Sequence, residues 1–334
     1  MNNTISGVFV LYFVVIILIA YLTSRKDLTH SDFLLGGKKL PGWALAFSER
    51  ATGESAWLLL GFTGFVFTTG LSGIWVAIGI AIGIIFAWVF LASKFMKEAE
   101  KEKVLTLSDY LASKFGQNAN LIRWLSTILI AGFFMFYIGA QFAGAGKLFL
   151  PSFDMNMTTG IIVTTLLVIT TAFFGGFISV VWTDMIQSVM MLFTLVVLPI
   201  IAFIYIGNND LSLSEALVNA GPNFDSLFDG ATGFAIGVLF FNNFSWFFGY
   251  LGGQPQLSSR FMALKNEKEA KQAKIVGIGW TLLAYAGAFA IGLAAIVMYK
   301  QGSFADVETV LPTMILDLTP AWFGGLLLAG IMAA

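Results

Sequence analysis

Pro41-Gly-Trp-Ala-Leu-Ala-Phe-Ser-Glu49-Arg50-Ala51-Thr-Gly53-Glu54-Ser55-Ala-Trp57-Leu-Leu-Leu-Gly61-Phe-Thr-Gly64 places three charges in the middle of an apolar stretch of membrane-spanning length. A charge at the bilayer centre costs roughly 2.5–3.5 kcal/mol on insertion scales, so such residues face a cavity or one another and mark an ion or solute path. The neighbouring Ser, Thr and Gly suit a helix that breaks inside the membrane, because they satisfy or tolerate the freed backbone groups. A span that carries its own polar centre is where solute carriers build sites.

The rest of the chain supports a membrane reading. Of its 334 residues 58% are hydrophobic and only 11% are charged, with 35 Gly and 34 Phe. A soluble domain carries roughly 25% charged residues. The absence of Cys excludes disulfides, zinc-thiolate sites and thiol catalysis. The single His, His30, lies in a polar stretch and reads as a loop residue, which leaves histidine-metal and triad chemistry without material. No phosphate-cradling Gly-Lys-Ser/Thr motif is present, which argues against an ATP-driven pump. The chain reads as no enzyme.

Nine segments have the length to cross a ~30 Å hydrocarbon core as helices. They lie near 6–24, 42–69, 73–96, 122–150, 158–178, 184–206, 232–253, 274–299 and 320–334. The 42–69 and 122–150 segments are overlong, which predicts tilt or a break. Arg25 and Lys26 follow the first apolar run and no basic residue precedes it, so it reads as an uncleaved span. Fifteen of the eighteen Lys and Arg fall in loops 25–40, 94–123 and 254–274, all on one side of this layout. The opposite side has Lys147 and Lys300, and its 207–231 loop carries Asp210, Glu215, Asp225 and Asp229. The positive-inside rule then puts the N-terminus outside and the basic loops in the cytoplasm. Residues 106–115 and 304–317 read as short loop helices, and Gly79-x-x-x-Gly83 as a close helix contact. The apolar run to Ala334 has no flanking charge or turn, so the last span is expected to be cut in its middle.

Three constellations carry chemistry. Arg50 and Glu54 are one turn apart and share a helix face. They read either as a self-neutralising pair or as part of a cation site, with Glu54 or nearby carbonyls as oxygen donors and Glu54 alternatively carrying protons. The second is Asn242-Asn243-Phe-Ser-Trp246-Phe-Phe-Gly249-Tyr250-Leu-Gly252-Gly253-Gln254-Pro255. Its glycines and proline weaken a helix, and Trp246 and Tyr250 lie one turn apart. They read as a cavity for a small amphipathic ligand or as an interfacial aromatic belt. The third is Tyr137, which reads as packing or cavity lining, with Asp184, which reads as a residue at a helix start or a cation ligand.

Five motifs in order resemble the sodium/solute symporter family, and within it the bacterial sodium/proline symporters. They are Asp32-Phe-Leu-Leu-Gly-Gly-Lys38, Ser55-Ala-Trp57-Leu-Leu-Leu-Gly61, Thr106-Leu-Ser-Asp-Tyr110, Gly175-Gly-Phe-Ile-Ser-Val-Val-Trp182-Thr-Asp184, and Gly249-Tyr-Leu-Gly-Gly-Gln-Pro255 with Arg260-Phe-Met262. The resemblance implies an all-α integral membrane protein with an inverted-repeat (5+5) fold of the amino-acid-transporter, LeuT-like type. It implies one transmembrane domain over 1–334, with an extra helix at 6–24, the first five-helix repeat at 42–206 and an incomplete second repeat at 232–334.

It further implies sodium ligation through carbonyls at Ala51 and Glu54, a further sodium ligand at Asp184, and substrate contacts from Ser55, Trp57, Tyr137, Trp246, Tyr250 and Pro255. Proline symporters commonly carry Asp where this chain has Gly53, and an apolar residue where it has Glu54. The expected function is sodium-coupled symport of L-proline or a similar small amino acid into a prokaryotic cell across its cytoplasmic membrane. The expected partners are the lipid bilayer and the solute, without nucleic acid, and the unit is expected to work as a monomer. The rival readings are symport of another amino acid, a sugar acid or a sugar, and a membrane sensor built on the same fold.

Overall fold

The computed structural model describes residues 3–23, 29–153, 155–251 and 254–334, with only the backbone of 150–152 and 171–175. Arg25, Lys26, Gly252 and Gly253 lie outside the described residues. All regular structure among the described residues is helical. In chain order the helices are α1 Asn3–Thr23, α2 His30–Leu35, α3 Gly42–Ala56, α4 Thr63–Thr69, α5 Ile74–Phe86, α6 Ala92–Lys101, α7 Leu107–Ser113 and α8 Ala119–Phe153. There follow α9 Met157–Asn208, α10 Leu213–Ala220, α11 Phe234–Phe244, α12 Trp246–Gly249, α13 Pro255–Met262, α14 Glu267–Met298, α15 Val310–Leu318 and α16 Ala321–Met332.

Five helical stretches are long and apolar enough to cross a membrane: Asn3–Thr23, Gly42–Lys101, Gly116–Phe149, Gly176–Asn208 and Glu267–Met298. Met157–Thr170, Phe234–Gly249 and Ala321–Met332 are shorter apolar helices. The Gly42–Lys101 stretch is divided by a tight turn at Gly70–Gly73, where Gly70 has φ 63°. The nine apolar segments of the sequence are therefore present, but several are interrupted.

Helix α9 is the hub, packing on α1, α3, α8, α14 and α16, and α3, α9 and α14 pack mutually on one another. Helix α1 is apolar all round, yet it buries one stripe, Ile5, Phe9, Tyr12, Ile16 and Ala20, at turn-by-turn spacing. Val10, Leu11, Leu18 and Leu22 stay exposed, as a helix in lipid allows. Gly79 and Gly83 meet the backbone of Phe244 and Phe247, whose carbonyl oxygens lie 2.7 Å from where a Cβ would sit. Any larger residue there would push α5 away from α11 and α12.

Two breaks shape the centre. Ser55 interrupts α3 at φ 55°, ψ −176°, and Gly176 interrupts α9 at φ 55°, ψ −160°. The sequence reading placed a loop between 158–178 and 184–206. The helix instead breaks at Gly176 itself, and 177–208 is continuous helix. Asp184 consequently sits in mid-helix, two turns past the break, and not at a helix start. Glycine takes this conformation freely, whereas for serine it is strained by about 1–3 kcal/mol. The 232–253 segment is also broken: α11 ends at Phe244, α12 ends at Gly249, and the chain becomes helical again at Pro255. The two short loop helices are present as α7, capped by Thr106, and α15.

Candidate functional site

The α3 break organises the centre of the molecule, and its two faces differ. One face is charged and closed. Arg50 grips Glu49 with Nε and Nη2, and its Nη1 donates to Glu54 Oε1 at 2.6 Å. Trp88 Nε1 donates to Glu49 at 3.1 Å, and the Tyr285 hydroxyl donates to the second oxygen of Glu54. The three charged side chains are 1% exposed or less. Every member of the cluster has a charged or hydrogen-bonding partner, as burial of ions demands. The cluster ties α3 to the helical turn Ala87–Leu91 that follows α5, and to α14.

The other face bears no charge of α3 and borders open space. On it Tyr137 donates its hydroxyl to the Thr52 carbonyl at 3.3 Å, whereas Tyr250, buried beside Tyr285 on the charged side, donates to the Gly53 carbonyl at 3.4 Å. The Ala56 N–H donates to Gln141 Oε1 at 3.2 Å, and the Trp57 N–H donates to Ser55 Oγ at 3.3 Å. Side chains from α8 and from Tyr250, just past α12, thus pair with backbone groups beside the break. Trp57 and Trp246 stack with ring centroids 4.6 Å apart. A cavity of about 330 Å³ borders Ala51, Thr52, Ala56, Gln141, Asp184 and Gln187.

The structure therefore gathers Ser55, Trp57, Tyr137, Trp246 and Tyr250 around one break. Ala51 borders the cavity beside it. Pro255 is the first residue of α13, where its missing N–H is harmless. Glu54 points its carboxylate into the charged cluster, while its carbonyl accepts the Trp57 N–H at the break. Asp184 is held by Ser48 Oγ at 2.6 Å, Thr52 Oγ1 at 3.3 Å and Arg260 Nη2 at 3.1 Å. Arg260 also donates to Ser48, Thr52 and the Gln256 carbonyl. This group joins α3, α9 and α13.

Gln141, Arg260 and Tyr285 were not singled out as site residues in the sequence. Gln141 stands one turn after Tyr137, so helical spacing alone connects that pair. Arg260 was hidden by its place among the basic residues of 254–274. It is only 7% exposed, because α13 buries its Leu257–Ser258 and Arg260–Met262 face.

The opposite face of the molecule has its own ion group. Lys147 Nζ lies 2.8 Å from Asp306 and 2.6 Å from Glu308. Partial burial pushes the Asp306 carboxyl up. The Lys147 hydrogen bond and the Glu308 N–H outweigh it and hold the carboxyl below its ordinary range.

Residues 33–334 match the family described as SSF: Sodium:solute symporter family. The chain is 33% identical over 321 residues to the High-affinity proline transporter PutP of Bacillus subtilis (strain 168), covering 95% of this chain and 67% of that protein. It is 32% identical over 329 residues to Sodium/proline symporter 2 of Staphylococcus saprophyticus, covering 97% and 63%. The Osmoregulated proline transporter OpuE of Bacillus subtilis is 30% identical over 327 residues, covering 97% and 65%. The chain thus spans 63% to 67% of the length of these relatives.

Its fold matches the substrate-bound outward-open state of a Na+-coupled sialic acid symporter with a TM-score of 0.84 at 21% identity, over 99% of this chain and 70% of that one. The apolar helices and these matches make it a multi-pass membrane protein with the expected all-helical symporter fold. The chain belongs to the sodium:solute symporter family.

Proposed function

We propose that the protein carries L-proline or a similar small amino acid into the cell together with sodium. The observation that carries this reading is the break at Ser55, with the Thr52 carbonyl, Gln141 and the Trp57–Trp246 stack gathered on the face that bears no charge of α3. Sodium prefers several oxygen ligands, and a broken helix offers backbone carbonyls at no cost in buried charge. The carbonyls of Ala51 and Glu54 are the donors on α3, and Asp184 is a further cation ligand when Arg260 releases it. Ser55, Trp57, Tyr137, Trp246, Tyr250 and Pro255 contact the solute, whose apolar ring suits indole faces. Three relatives named for proline support the choice of solute.

The mechanism is alternating access. The basic loops face the cytoplasm and the N-terminus lies outside, by the positive-inside rule. The Asp184–Arg260–Ser48–Thr52 group closes the cytoplasmic side, while the cavities beside Trp57 and Gln141 lead outward. Sodium draws the α3 break into its binding geometry and prepares the solute site. Loss of the Asp184–Arg260 contact then opens the inner side. Each sodium ion moving inward gains about 2.3 kcal/mol per 100 mV of membrane potential.

The full-length protein in proteoliposomes tests the proposal. Radiolabelled proline accumulates under an inward sodium gradient and proline analogues block it. Uptake that ignores sodium would remove the coupling, and sodium-driven uptake that ignores proline analogues would move the solute.

A further inference from the structure

The ion group of Lys147, Asp306 and Glu308 has no part in the mechanism above, yet it stands on the way to the break. A cavity of about 270 Å³ runs from Lys147 and Glu308 past Gln141 to Trp57. It shares Ala56, Leu60, Gln141 and Gly144 with the larger cavity that reaches Thr52 and Ala51. Small residues, Ala140, Ala143 and Gly144, leave room along its α8 wall. A solute that comes to Trp57 through this cavity passes an ammonium and a carboxylate held side by side.

We propose that Lys147 and Glu308 form an outer subsite for zwitterions, with the solute carboxylate on Lys147 and its charged amine on Glu308. The inference rests on the amino-acid reading above and adds how the class of solute is chosen. An ammonium has three N–H donors, and Asp306 and Glu308 occupy two of them. Asp306 is itself fixed by the Glu308 N–H at 3.0 Å, so it anchors Lys147 while Glu308 turns to the solute. All three side chains are part-exposed, at 30%, 40% and 35%. Ion pairs this exposed are weak, so exchanging one partner for a solute group costs little. Two carboxylates against one ammonium leave a negative excess. A solute bearing only a carboxylate is repelled, an uncharged sugar gains nothing, and a zwitterion satisfies both signs.

The test compares wild-type full-length protein with Lys147→Met, Lys147→Arg and Glu308→Gln. Sodium-driven proline uptake and direct proline binding are measured in parallel, with prolinamide and cyclopentanecarboxylate as competitors. Lys147→Met is expected to raise the proline KM about tenfold, with kcat and the sodium midpoint unchanged and prolinamide inhibition unaffected. Lys147→Arg retains most of the affinity. Glu308→Gln weakens proline but improves cyclopentanecarboxylate.

A change that weakens all three ligands equally would mean a structural latch, and an unchanged proline KM would remove the subsite; either result overturns the proposal. Absence of proline uptake in wild type, with zwitterion binding still lost in Lys147→Met, would contradict the transport reading and leave the subsite standing.

Discussion

The two faces of α3 handle polarity in opposite ways. On one, Glu49, Arg50 and Glu54 are sealed at 1% exposure or less, and each charge has partners from the same helix, α14 or Trp88. On the other, no charge of α3 is present, and backbone groups of Thr52 and Ala56 meet Tyr137 and Gln141 beside a cavity. The charged face spends its groups on itself and fixes the helix. The uncharged face leaves polar backbone groups near open space, which is why we propose it as the place for ion and solute.

The sharpest way to break this comparison is to unbalance the closed face. Arg50→Met leaves two buried carboxylates facing each other, and about 3–5 kcal/mol of stability is expected to be lost. Thermal size-exclusion profiles in detergent would show little folded protein. The Asp184–Arg260 pair gives the next effect. Arg260→Gln strands a buried carboxylate at a cost of about 3 kcal/mol. Adding Asp184→Asn should recover part of that loss, so the double change costs less than the two single changes summed. Equal and additive losses in that thermal cycle would show that the two residues do not act as a pair.

Smaller effects refine the open face. Ser55→Gly removes the strained serine conformation and is expected to stabilise the protein by about 1 kcal/mol. It also removes the Oγ that accepts the Trp57 N–H, so proline affinity should fall while thermal stability rises. Trp246→Ala takes away a stacked ring worth about 0.5–1.5 kcal/mol, which predicts a two- to tenfold rise in proline KM.

A further effect of similar size lies away from both faces, at the start of α2. The hydrogen bonds from Lys39 and Thr29 hold the Asp32 carboxyl down to about 2 from 3.8. Because the folded value is lower, this contribution is complete above 3.8 and fades as pH falls toward 2. Asp32→Asn should flatten that part of the acid-stability profile. Thr29→Ala should cost about 1 kcal/mol through the lost cap.

Much of the architecture was legible because a bilayer imposes long apolar runs, and those runs survive as α1, α3 to α6, α8, α9, α11, α14 and α16. The overlong 42–69 run, dense in Gly, Ser and Thr, predicted a break or tilt, and the break stands at Ser55. The break at Gly176 was misplaced by several residues, because apolar residues continue through it without any polar marker. Trp57, Tyr137, Trp246 and Tyr250 were legible as one set only through the family resemblance, since they come from segments far apart in sequence.

Arg260 was not legible. Charge counting assigns it to a solvated loop, and only the packing of α13 against α3 shows that it is buried with Asp184. Glu54 was legible as important but not in its role: one turn of spacing to Arg50 was visible, whereas Tyr285 approaches from 231 residues away.

The most direct measurement is equilibrium binding of radiolabelled proline to full-length protein across a sodium titration, in Glu54→Gln beside Gln141→Leu. If the uncharged face holds the ion and solute, Glu54→Gln keeps the sodium midpoint within about twofold, and Gln141→Leu shifts it by about tenfold or more. A large shift in Glu54→Gln with none in Gln141→Leu would place the cation at the buried carboxylate and contradict the division between the two faces.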